Sequence, residues 1–224
     1  KPNIKMVGPF EHEMIGIEPF DEDQIHNIGI DVRLGNEVWE ADTFMKLKKP
    51  QEKKFLDDIP KHKIKDSFIC QPDSHGQKVY YFLTHERIIC SPDLEYKVDS
   101  KSTTGRAGCM SHQASNGDVF DGRILIALQP YAFPIEIIPG KTSVSQVIFR
   151  YKGTPLMSQD EIRHTWGKEV GLYKRKRLVG LDKVLRAGGL EMTFSTKKVF
   201  RAKKTDQPID LTKRNHYNPT DFFE

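Results

Sequence analysis

The chain is 224 residues long with a formal net charge of +4 and a hydrophobic share of 37%, a size that supports one domain with a real core, or a domain and a substantial appendage. No apolar run approaches the roughly 18 residues of a membrane-spanning helix, and Lys1-Pro2-Asn3-Ile4 lacks the order of a secretion signal and reads as a trimmed start. Cys70, Cys90 and Cys109 stand apart, odd in number and free of any Cys-x-x-Cys pair, which argues against a disulfide framework or a thiolate metal cage and for a reducing, cytoplasmic setting.

From Ile28 to Phe149, short β-type runs alternate with Gly, Pro, Asp and Ser, the pattern of an all-β sandwich or barrel. Strands are predicted over Ile28–Leu34, Val79–Leu83, Arg87–Cys90, Ile124–Leu128, Phe133–Ile138 and Ser143–Phe149. In residues 123–129, Ile124, Ile126 and Leu128 point one way, toward the core. Arg123, Leu125, Ala127 and Gln129 point the other way, toward a ligand, another subunit or whatever else lies across the sheet. Pro139-Gly140 predicts a turn that makes Phe133–Ile138 and Ser143–Phe149 hairpin partners.

Beyond Phe149 the pattern changes. Ser158 as N-cap with Glu161 three residues on forms a capping box and predicts a helix through Trp166. A short helix over Leu181–Arg186, a break at Gly188-Gly189 and a β-like Glu191–Arg201 follow, and the aromatic end Tyr217–Glu224 is expected to pack on something. The division predicted is therefore a β domain over residues 1–150 and a basic extension over 151–224. The extension carries 16 Lys/Arg against 9 Asp/Glu, and the body 19 against 22. Such a tail suits a polyphosphate or nucleic-acid partner, and equally a solvated surface. Nucleic acid is the less expected of these, because the cluster Lys174-Arg175-Lys176-Arg177 has no interleaved aromatics.

Lys101-Ser102-Thr103-Thr104-Gly105-Arg106 gathers two cations, three hydroxyls and a glycine directly after a β-like run. Phosphate oxygens favour that mixture: Arg grips bidentately, hydroxyls and backbone N–H groups donate, and Gly lets the backbone come close. The order is not that of a Walker loop. On chemistry alone, a polar surface turn fits the segment as well as a phosphate site does.

Ser100–Arg106 resembles the second motif of the dCTP deaminase and dUTPase superfamily. Gly29-Ile30-Asp31-Val32-Arg33-Leu34-Gly35-Asn36 is similar to a further signature of that superfamily, as are Ser143–Phe149 with Gln146 and the stretch Tyr80–Lys101 with its Pro92-Asp93 turn. The resemblance covers roughly residues 14–150, and residues 154–224 resemble the longer, tandem-type bacterial branch. It implies a dUTPase-like distorted β-barrel or sandwich, mainly β, with a few short helices and a C-terminal extension. It further implies a pyrimidine deoxynucleoside triphosphate held by Lys101, Ser102, Thr103 and Arg106 with help from Gln146. Magnesium would ride on the phosphates and no zinc would be used, in keeping with the missing His-x-Glu and Pro-Cys-x-x-Cys pair of the zinc deaminases. A homotrimer, or a tandem pseudo-trimer, is implied as well.

The chain departs from the family in a shorter loop over 116–122, in lacking the Gly-rich arm with which trimeric dUTPases close over the phosphates, and at one position of the site. Anchored on Gly122 and Phe133-Pro134, the residue equivalent to the proton-shuttling Glu is Ala127, which cannot transfer a proton. A shifted register would bring Gln129 there instead. Asp118, Asp121 and Glu136 are the nearby carboxylates. Asp118 matches, with one residue missing, an Asp that the family sets beside the deoxyribose and that orients water in dUTPases; an Asn-Gly-Asp turn explains it equally well. The resemblance thus implies a dCTP deaminase-like protein, with dUTP hydrolysis or a catalytically inactive nucleotide-binding module as alternatives.

Overall fold

The computed structural model of the chain describes residues 5–7, 15–26, 29–45, 47–73, 78–116, 120–155, 157–169, 171–174, 176–186, 189–191, 199–213 and 216–224. In chain order the elements used below are β1 (Ile15–Glu18), β2 (Gly29–Ala41), α1 (Lys49–Asp58), β3 (Phe68–Cys70), β4 (Val79–Thr84), β5 (Arg87–Cys90) and β6 (Leu94–Ser100). They continue with α2 (Ser102–Arg106), β7 (Cys109–Gln113), β8 (Leu125–Pro130), β9 (Ile135–Ile137), β10 (Ser143–Tyr151), α3 (Gln159–Thr165), β11 (Ile209–Asp210) and α4 (Pro219–Phe222).

Alternation along β2 sends Ile30, Val32 and Leu34 into the core, where they join Ile17, Phe82, Ile88, Ile126 and Val147. Each such side chain gains about 1.5–3 kcal/mol on full burial. The same alternation leaves Asp31 and Arg33 on the opposite face. Two glycines of this strand are fixed by neighbouring backbone: a Cβ at Gly29 would lie 2.6 Å from the Val147 carbonyl oxygen, and one at Gly35 would lie 2.9 Å from that of Leu83. The large sheet runs β6-β10-β2-β4-β8-β7, with the short strands 25–26 and 61–63 added along β2. Its outer strands return to each other: the Gln113 amide donates to the Tyr96 hydroxyl at 3.1 Å, and the Ser111 backbone N–H donates to Ser100 Oγ at 3.4 Å. The sheet nearly closes on itself, which is the barrel-type, mainly β architecture that the sequence leads one to expect.

One expected strand pairing is corrected. Phe133–Ile138 and Ser143–Phe149 are not hairpin partners: β10 pairs with β6 and β2, whereas β9 lies between β3 and β11 in a separate three-stranded sheet. The turn between them is locked by the buried Thr142, whose hydroxyl oxygen accepts from the Ile138 N–H at 2.8 Å, and it carries the chain from one sheet to the other. On the second face of 123–129 Arg123 is exposed, and what lies across the sheet from Leu125 and Ala127 is the chain itself. Leu125 and Ala127 are buried with Trp39, Val79, Tyr81 and Ala114, and Phe55, Leu56 and Ile59 pack over this second cluster from α1 and the residue after it.

The chain forms two compact units, residues 1–152 with 201–224, and residues 153–200. The stretch 151–224, expected as one extension, is therefore shared between them. In the second unit α3 starts on the expected capping box, Ser158 with Glu161, and the Trp166 indole N–H donates to the Val179 carbonyl at 2.9 Å. Residues 181–183 form one 3-10 turn instead of a helix to Arg186, and residues 192–198 of the expected β-like Glu191–Arg201 lie outside the described residues. In the first unit the aromatic end packs as expected: Phe222, 2% exposed, meets Phe133 edge-on at 5.2 Å and Tyr217 at 5.3 Å, and Phe223 meets Phe133 at 5.3 Å.

Candidate functional site

The Ser100–Arg106 segment forms the end of β6 and the single turn α2, and three hydrogen bonds to one carbonyl hold it in place. The Lys101 N–H (3.0 Å), the Thr104 hydroxyl (2.9 Å) and the Ser111 hydroxyl (3.0 Å) all donate to the Val144 oxygen. Thr104 is thereby turned into the core, fully buried, while Ser102, Thr103, Gly105 and Arg106 stay exposed. Lys101 occupies the N-cap position without capping by its side chain, so the first-turn N–H groups have no acceptor within the helix. A Cβ on Gly105 would meet nothing within 4 Å; close approach here is not demanded by the chain's own packing.

This segment borders a cleft of about 1270 Å3 that lies wholly within the first unit. Lys101, Ser102, Thr103 and Arg106 line it from the end of β6 and from α2, Gln146 from β10, the middle strand, and Asp31 and Arg33 from β2 beyond it. Gln146 stands in register with Asp99 on β6 and Asp31 on β2, which explains its place beside both. Asp31, 6% exposed, is the electrostatic centre: its Oδ2 accepts from the Lys101 ammonium and lies 2.9 Å from His26 Nε2, while its Oδ1 is buried without a hydrogen-bond partner among the described residues. The Arg106 side chain makes no hydrogen bond or ion pair among the described residues and remains available to an anion. No three His, Cys, Asp or Glu side chains among the described residues come together as metal ligands.

A further wall of the cleft comes from Thr212, Lys213, His216 and Tyr217, far along the chain. It is anchored by β11, which runs parallel to β9, and by the Tyr217 hydroxyl, which accepts from the Asp210 N–H at 2.7 Å. Asp210 is 3% exposed and accepts from the Thr212 N–H (2.9 Å), the Thr212 hydroxyl (2.6 Å) and Lys213 Nζ (3.0 Å). Burial is the largest influence on this carboxyl and pushes its pKa up. The bonds from Thr212 and Lys213 together outweigh burial and hold it below the ordinary carboxylate value. A carboxyl depressed in the fold contributes stability that is complete above its unfolded pKa, about 3.9, and is lost as pH falls through the folded value. Hydrogen exchange of residues 209–213, 216 and 217, taken relative to the intrinsic rate at each pH, is therefore expected to accelerate on acidification below about pH 4. Asp210→Asn should accelerate it at neutral pH and flatten the acid limb; an unchanged acid limb in that variant would assign the effect elsewhere.

The cleft thus brings together Lys101, Ser102, Thr103, Arg106 and Gln146, and it adds Asp31, Arg33 and the terminal wall, which were not named as site residues from sequence. Asp118 lies outside the described residues. Ala127, 1% exposed, and Gln129, 8% exposed, are not part of the cleft. Of the other nearby carboxylates, Asp121 takes Arg87 bidentately, with both contacts at 2.8 Å, and Glu136 sits on β9. His112 packs its ring on Phe44 at 5.4 Å. Lys174 and Arg177 pair across a short hairpin of the second unit.

A family model described as dCTP deaminase-like matches residues 10–151. A "dCTP deaminase, dUMP-forming" of Mycolicibacterium gilvum is 29% identical over 136 residues, 58% of this chain and 70% of that protein. A dCTP deaminase of Ignicoccus hospitalis is 26% identical over 180 residues, 76% of this chain and 89% of that protein. A probable deoxyuridine 5′-triphosphate nucleotidohydrolase of Sulfolobus islandicus rod-shaped virus 1 is 26% identical over 158 residues, covering 70% and 87% respectively. Among solved structures, the 2′-deoxycytidine 5′-triphosphate deaminase of Agrobacterium tumefaciens shares the fold with a TM-score of 0.75 at 19% identity. That match covers 94% of this chain, which spans 64% of the other's length.

Proposed function

Because this chain belongs to the dCTP deaminase-like family, we propose that it binds a pyrimidine deoxynucleoside triphosphate in the cleft, as a dCTP deaminase-like protein of pyrimidine deoxynucleotide metabolism. The observation that carries the proposal is the convergence on one cleft of Lys101, Ser102, Thr103, Arg106 and Gln146. The exposed hydroxyls and the first-turn N–H groups of α2 donate to phosphate oxygens, and Arg106 grips them bidentately. Magnesium would enter with the phosphates whose charge it neutralises. Asp118 would contact the sugar. Assembly as a homotrimer, or as a pseudo-trimer with a second tandem domain, belongs to the same proposal.

Deamination of dCTP to dUTP adds water at C4 of the ring and releases ammonia, so it needs a group that moves a proton from the water to the leaving amine. Ala127 supplies none and is sealed under α1. That observation favours a second reading, in which the nucleotide is bound without turnover.

Calorimetry with dCTP, dUTP and dTTP, followed by mass detection of products, tests both. The parent protein is expected to bind at least one of the three, and Arg106→Ala to weaken it by about 1.5–3 kcal/mol, roughly ten- to a hundred-fold. Conversion of dCTP to dUTP supports the deaminase, release of pyrophosphate from dUTP the diphosphatase, and unchanged nucleotide the binding module. Absence of binding to all three overturns the proposal.

A further inference from the structure

Outside the lining of the cleft, the first unit buries the carboxylate of Glu86. It is fully buried, in the turn after β4, and that turn is itself fixed by the Thr84 hydroxyl, which donates to the Glu86 carbonyl at 2.7 Å. Each of its oxygens is engaged. Oε1 accepts from Arg33 Nε at 2.6 Å and from the Gln24 amide at 3.0 Å, and Oε2 accepts from the Arg33 backbone N–H at 2.8 Å. The Gln24 amide also donates to the Asp31 carbonyl at 2.7 Å, tying the network to the strand that borders the cleft. A buried carboxylate is tolerated only when it is paired and its oxygens are bonded.

A guanidinium carries five N–H donors in a rigid planar fork, and Glu86 takes only the one on Nε. Arg33 borders the cleft with its side chain 18% exposed, and no acceptor stands against its two terminal nitrogens among the described residues. Lys101 and Lys213, by contrast, spend their ammonium groups on Asp31 and Asp210, carboxylates of the cleft itself. Arg33 is neutralised from the core side, so its unused edge is held in a fixed direction at the cleft. Asp31, the partner of Lys101, lies two residues away on the same face of β2, about 7 Å along the strand. Arg33 and the Lys101–Asp31 pair thus line the same cleft.

We propose that Arg33 is a phosphate-binding residue of this cleft and that Glu86 is the positioning residue that orients its fork; the inference rests on the nucleotide-binding reading. Arg33→Lys keeps a cation over the buried carboxylate, and so protects the fold, but removes the fork. Its affinity for dCTP is expected to fall roughly ten-fold, with a similar fall for inorganic tripolyphosphate measured by competition and no change for deoxycytidine. Arg33→Gln should fall further in the same pattern. Glu86→Gln is expected to show the same selective loss with Arg33 still present; where that variant fails to fold, Arg33→Lys decides. Equal losses for dCTP and deoxycytidine, or parent-like binding of dCTP by Arg33→Lys while Arg106→Ala has lost it, overturn the assignment of Arg33 and leave the cleft reading standing. No binding of dCTP, dUTP or dTTP by the parent protein overturns both.

Discussion

Ala127→Glu is expected to destabilise the protein by about 3–5 kcal/mol, the cost of an uncompensated buried charge, and to yield no deaminase activity. Ala127, 1% exposed, belongs to the cluster of Trp39, Val79, Tyr81, Ala114 and Leu125, against which Phe55, Leu56 and Ile59 pack. Its cross-strand neighbours in register are His112 and Tyr81. Apart from the His112 ring across the strand, a carboxylate placed there finds an aromatic and aliphatic surround, and its added volume forces that packing apart. For a chain of this size the thermal midpoint should fall by roughly 10 °C. The loss should also depend on pH. Burial raises the pKa of the introduced carboxyl, so the penalty appears as pH rises above the unfolded value of about 4.3 and saturates above the folded one. Ala127→Gln, which adds nearly the same volume without a charge, should be destabilised evenly across pH. An Ala127→Glu protein as stable as its parent would show that the position is not sealed.

Phe222→Ala carries the second large effect. Truncating a buried Phe costs about 3–5 kcal/mol, and here the ring is the keystone between Phe133 and Tyr217. The loss falls on the docking of the terminal segment, shifting it toward the undocked form by about a hundred-fold or more. Hydrogen exchange should become fast across 201–224 while β2, β4 and β8 keep their protection. Nucleotide affinity should fall in parallel, since Thr212, Lys213, His216 and Tyr217 form one wall of the cleft. Fast exchange with unchanged affinity would remove that wall from the binding site.

Much of the barrel is legible in the sequence because its strands have the shortest possible period and are punctuated by turn residues: Arg87–Cys90 matches residue for residue, and Val79–Leu83 to within one. The phosphate segment is legible for a related reason, its chemistry being contiguous. What escapes local reading depends on distant partners. Helix α1 is missed because its sequence is mostly Lys, Glu, Gln and Asp, with only Phe55 and Leu56 to cover the second cluster. Pro139-Gly140 announces a turn, and no local signal tells that the strand beyond it joins a different sheet. Asp31 and Arg33 are visible as part of a motif, yet their roles follow from Lys101, 70 positions away from Asp31, and from Glu86, 53 positions away from Arg33. The terminal wall depends on a strand pair between 135 and 209, which no pattern in either segment announces.

The chain leaves the first unit at Lys152 and re-enters it at Arg201, so the segment that walls the cleft is tethered to its dock only through residues 153–200. While that tether is intact, docking is an intramolecular event at an effective concentration on the order of millimolar. A single proteolytic nick within 153–200 turns the same segment into a separate peptide, and its occupancy then follows mass action. Nicked protein would keep a complete cleft when concentrated and lose one wall on dilution, whereas intact protein would be indifferent to concentration.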